Sequence, residues 1–100
     1  DIVATIRFLT SAEGGRKSKI PADAEFYGFP FKHDGIFNDC RLILGGFREI
    51  APGDTLKNVP IIFLCPEKVI KRLSVGDPFT LWEAGTKAEG TVNKIISRSV

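Results

Sequence analysis

The sequence predicts an all-β domain of six antiparallel strands, folded as a small sandwich or barrel. Three observations carry this. Six stretches rich in β-branched and aromatic residues recur about every dozen residues. Glycine or proline turns separate them. Little of the chain has helical periodicity. A barrel has the advantage of leaving few open edges.

The first strand lies in "DIVATIRFLT", where Ile2, Val3, Thr5, Ile6 and Phe8 favour a pleated, half-buried backbone. A glycine loop, "SAEGGRKS", follows at 11–18. The second strand, in "AEFYGFPFKH", places Phe29 and Phe31 on one side and Pro30 on the other. Pro30 has no N–H to donate, which suggests an edge or a bulge. "CRLILGGF" is the third strand, ending at Gly45 and Gly46. "APGD" is a tight turn in which Pro52 fixes φ and Gly53 is free to take positive φ.

"VPIIFLC" at 59–65 is a continuous apolar run, read as a buried strand interrupted by Pro60. "PEKVIKRLSVGD" allows one or two helical turns opened by Pro66, or equally an irregular connection ending at Gly76 and Asp77. "PFTLWE" alternates Phe79 and Leu81 against Thr80 and Trp82, and "TVNKII" is the last strand.

Composition narrows the class. The chain has 100 residues, 43% of them hydrophobic, which suits one soluble domain with a modest core. No apolar run is long enough for a transmembrane helix, and no basic-then-apolar start reads as a signal peptide. No membrane partner and a cytoplasmic location are expected. The chain begins at Asp1 and contains no methionine, so a longer parent chain is expected. Fourteen basic against twelve acidic residues leave a net charge of +2, too little to announce nucleic acid. Two local basic clusters stand out: Arg16, Lys17 and Lys19, and Lys68, Lys71 and Arg72. Cys40 and Cys65 sit in apolar runs and read as buried free thiols, with a disulfide left open by spacing alone.

No motif supplies chemistry. "EGGRKS" fails as a phosphate-binding P-loop, because Arg16 follows Gly15 and Thr10 stands where the first glycine belongs. A dinucleotide fingerprint lacks its βαβ unit. His33, near Asp34, Asp39 and Cys40, invites a Cys–His or metal reading, but a lone loop histidine explains it better. Glu83 and Glu89 flank the last hairpin and read as solvent-exposed. No catalytic residue, cofactor or metal site is expected.

Over nearly its whole length the chain resembles the C-terminal β-barrel domain of elongation factor Tu and related translational GTPases. "ATIRFLTSAEGGRKSKI" resembles that family's first strand and its "EGGR" loop. "EFYGFPF" resembles its aromatic second strand, and "APGDTLKNVPIIFLCP" its "PGD" turn and following strand. "GDPFTLWEAGTKAEGTVNKI" resembles its ending. The resemblance implies a six-stranded antiparallel Greek-key β-barrel that binds and does not catalyse.

In the family this barrel packs against a GTPase domain, contacts an exchange factor and helps hold the T-stem of aminoacyl-tRNA. The tRNA-facing hairpin maps onto Glu83, Ala84 and Gly85. Here Ala84 replaces a family glycine and the family's arginine has no clear counterpart. The stretch "KHDGIFNDCRLILGGF" is shorter than in the family.

"SAEGGRKS" is therefore expected to be a turn between two barrel strands, with Gly14 and Gly15 supplying positive φ and a close backbone path. Arg16 and Lys17 should project from the barrel end, with Lys19 beside them, to meet a phosphate or a partner's carboxylate. The alternative is a free-standing protein-interaction domain that kept the barrel and lost tRNA binding. Tyr27 and Trp82 would then be the aromatic surface to inspect.

Overall fold

The computed structural model describes residues 1–20, 26–45 and 49–96. Among these residues there are six strands: β1 (Ile2–Phe8), β2 (Phe26–His33), β3 (Ile36–Ile43), β4 (Thr55–Phe63), β5 (Pro78–Trp82) and β6 (Thr86–Ile95). They close into an antiparallel barrel with the order β1-β4-β3-β2-β5-β6. Strands β2, β3 and β4 are successive neighbours, and β1 lies beside β4 after a long connection to β2. That is Greek-key connectivity. The expected six-stranded antiparallel barrel is thus what forms.

Alternation builds the core. Ile2, Ala4, Ile6 and Phe8 of β1 point inward, as do Phe29 and Phe31 of β2 and Val59, Ile61 and Phe63 of β4. Phe31 stacks on Phe79 at 4.4 Å between ring centroids and meets Phe63 edge-on at 4.8 Å. Gly90 makes room for this stack, since a β-carbon there would fall on the Phe79 ring.

Several boundaries differ from expectation. Residues 59–65 are not buried throughout: Ile62 and Leu64 face solvent, because the strand keeps its two-residue period. The β1–β4 register slips between Ala4 and Ile6, and Asn58 takes φ of +58° at this bulge. The third strand starts at Ile36, ahead of Cys40, because Asp34 and Gly35 (φ +51° and +77°) form a two-residue hairpin turn. The expected strand end at Gly46 lies outside the described residues.

Pro30 pairs with Asp39 in an unbroken β2–β3 register. On the other side, β2 meets β5 only at Phe31 and Lys32. Pro30 therefore marks where that seam stops. Between β4 and β5 the chain makes a short helix, α1 (Pro66–Val69), then a 3₁₀ turn at Ile70–Arg72. Pro66 opens it, and Val69 and Leu73 turn into the core.

The "SAEGGRKS" segment is not a hairpin. It opens the long connection from β1 to β2, which are not neighbours in the barrel. At the same barrel end, Ile20 and Ile50 exchange backbone hydrogen bonds of 2.8 and 2.9 Å and cover the core.

Candidate functional site

Arg16, Lys17 and the Glu83–Gly85 hairpin tip lie at one end of the barrel, where β1 ends and the β5–β6 hairpin turns. Thr10 caps a 3₁₀ turn at Ser11–Glu13, and the Glu13 carboxylate accepts from the Thr10 backbone N–H at 2.9 Å. Arg7 donates two hydrogen bonds to Glu13, at 2.9 and 3.0 Å, and one to Glu89 at 2.9 Å. The Arg7 guanidinium, with help from the Thr10 N–H, lowers the Glu13 pKa from its ordinary 4.5 to about 2. Glu89 is solvent-exposed, as expected, and also pairs with Arg7.

Gly14 ends the turn with φ of +94°, as expected. Gly15 does something else. Its φ is not positive, and a β-carbon there would collide with the Leu9 carbonyl. Of the two properties expected of this pair, Gly14 supplies the left-handed backbone and Gly15 the close approach. Lys87 of β6 donates to the Gly14 carbonyl at 2.8 Å, fastening the turn to the last strand. Gly53, at φ +91°, completes the Pro-Gly turn nearby.

Arg16 does not project into solvent. It lies 5.1 Å over the Tyr27 ring, donates to the Tyr27 hydroxyl, and pairs with Glu83 at 3.3 Å. Burial is the main reason the Tyr27 phenol is pushed up. The fold thus brings together Arg16 of the first loop and Glu83 of the last hairpin, but as partners of each other. Lys19 pairs with Glu49 at 3.2 Å. Lys17 is exposed and makes no ion pair among the described residues. Ala84 takes φ of +53° and Gly85 +121° at the hairpin tip. Tyr27 packs on Phe29, whereas Trp82 meets Phe37 at 5.7 Å on the outer wall, so the two rings belong to different surfaces.

His33 and Cys40 are not joined. His33 hydrogen-bonds Asp77 at 3.1 Å, while Cys40 donates to the Phe29 carbonyl at 3.2 Å inside the barrel. Burial pushes the Cys40 thiol up to about 12, opposite to an activated nucleophile. Both cysteines are free. Among the described residues, no group of three or more metal-ligating side chains comes together.

Sequence reading missed two features. One is the capping box, legible as Thr10 followed three residues later by Glu13. The other is Arg7, which no motif marks but which joins two glutamates distant in sequence. Comparison with protein-family models gives no match, and comparison with curated proteins gives none either.

Proposed function

We propose that this barrel is a non-catalytic binding module, of the kind implied by its resemblance to the elongation factor Tu C-terminal barrel, and that its partners are translation proteins rather than tRNA held by the first loop. One observation carries the preference. Arg16 is held between Tyr27 and Glu83 and Lys19 faces Glu49, so of this loop's three cations Lys17 alone has no acidic partner among the described residues to compete with an RNA phosphate. Cys40 is buried and apart from His33, which weighs against the one Cys–His pairing the sequence offered.

A second reading keeps tRNA but moves it. Lys68 lies in α1 and Lys71 and Arg72 in the 3₁₀ turn after it, at the opposite barrel end, where the Arg72 guanidinium donates to the Lys68 carbonyl at 3.0 Å. None of them makes an ion pair among the described residues.

Labelled aminoacyl-tRNA and uncharged tRNA, titrated at low and moderate salt, separate these readings, with calorimetry against an elongation-factor GTPase domain alongside. Binding to the GTPase domain without binding to tRNA is expected. Micromolar tRNA binding that weakens with salt and with an Arg16→Ala, Lys17→Ala variant overturns the preference. If binding survives that variant but is lost in Lys68→Ala, Lys71→Ala, the second reading takes its place.

A further inference from the structure

A groove of about 770 Å³ crosses the outer face of β2, β3 and β4. Two rows of side chains form it, and the strand registers fix both. One row is Gly28, Arg41 and Ile62, paired across β2–β3 and β3–β4. The next is Pro30, Asp39 and Leu64, set by the Pro30–Asp39 pair and by the Leu64 N–H donating to the Asp39 carbonyl at 3.1 Å. Leu64 is 76% exposed, and Ile62 and Phe26 are also open to solvent. Asp39 and Arg41 are exposed and make no ion pair among the described residues.

The rows are complementary to each other, which makes the face complementary to itself. A two-fold axis in the plane of contact, crossing the strands at the level of Cys40, lays one row of each copy on the other row of its mate. Arg41 then faces Asp39 of the second copy, and Asp39 faces its Arg41. Ile62 lies on Leu64 in both directions. The Pro30 ring enters the hollow that Gly28 leaves, again twice. Such an arrangement is isologous, closes at two copies, and packs two sheets face to face.

We propose that this face is a homodimer interface and that its occupant is a second copy of this chain. The charge pattern selects that occupant: an anion and a cation in adjacent rows are satisfied by the same surface turned over. A partner chosen only for apolar contact would leave both charges buried and unpaired. The proposal does not depend on the translation reading.

The test is sedimentation velocity on the whole chain across roughly 1–500 µM, a range that reports weak dimers. The wild type is expected to dimerise within that range. Asp39→Arg and Arg41→Asp each place like charges across both contacts, and each should weaken association by at least about 10-fold. Both positions are exposed, so the variants should keep the wild-type circular dichroism spectrum and melting temperature.

Mixing the two variants supplies the discriminating result. One copy then carries two acids and the other two bases, so a heterodimer should form where neither variant pairs with itself. Gly28→Val fills the hollow and should also abolish dimerisation. A β-carbon there meets nothing closer than the Cys40 carbonyl oxygen at 3.8 Å, so the fold accommodates it. A wild type that stays monomeric to 500 µM overturns the proposal. So do reversals that dimerise as the wild type does, or a mixture that stays monomeric.

Discussion

The two glycine-like positions of the candidate site respond to opposite rules. Gly15 is needed for space, because a β-carbon would collide with the Leu9 backbone. Gly15→Ala should cost about 1–3 kcal/mol, since backbone cannot move aside as a flexible side chain does. Ala84 presents the reverse case, an L-residue held at φ +53°. A left-handed backbone costs such a residue roughly 1–2 kcal/mol, and glycine returns part of that gain as entropy in the unfolded chain. Ala84→Gly should therefore stabilise the fold by about 0.5–1 kcal/mol, read as a melting temperature a few degrees higher. A lower melting temperature would show that Ala84 contributes contacts that outweigh its strain.

At the level of the element, the 3₁₀ turn at Ser11–Glu13 is held by side chains rather than by burial. None of its residues is buried, and side chains of Thr10, Glu13, Arg7 and Lys87 add hydrogen bonds to those of its backbone. Glu13 has a folded pKa of about 2 against an ordinary 4.5. A depressed carboxylate pKa contributes stability that is complete above the unfolded value and lost as pH falls through the folded one. Stability should therefore decline between about pH 4.5 and pH 2, and Glu13→Gln should flatten that decline while lowering stability at pH 7. Denaturant titrations at a series of pH values check this. Equal slopes in both proteins would mean the Arg7–Glu13 pair is solvated away in solution.

How much of each element was legible depended on how local its cause was. Enrichment in β-branched and aromatic residues marked β1, period-two alternation marked β5, and the Pro52-Gly53 turn followed from its own residues. The 59–65 run misled because Ile62 and Leu64 are as apolar as the core, and only their exposed side tells them apart. Arg16 misled for a different reason. Its partners, Tyr27 and Glu83, are 11 and 67 residues away, so no local pattern shows that its charge is already answered. The fold was readable because alternation is local, whereas the site depends on a closure that joins the first loop to the last hairpin.

That closure decides how the whole molecule opens. β1 pairs with β6 at seven positions from Ile2 to Phe8, but β2 pairs with β5 only at Phe31 and Lys32. Beyond Pro30 the seam has no ladder, and the bridge from Arg16 to Tyr27 and Glu83 spans it with side chains. A barrel separates first where the fewest backbone bonds must break together. Native-state hydrogen exchange should therefore find the Lys32 and Thr80 amides less protected than those of the β1–β6 ladder. Arg16→Ala should accelerate the seam amides and leave the β1–β6 amides nearly unchanged. Uniform protection around the barrel would mean that the seam opens only with global unfolding. If the seam does open alone, Arg16 is the residue that holds the first loop to the last hairpin, and its occupation by Glu83 is a property of the closed barrel rather than of either loop.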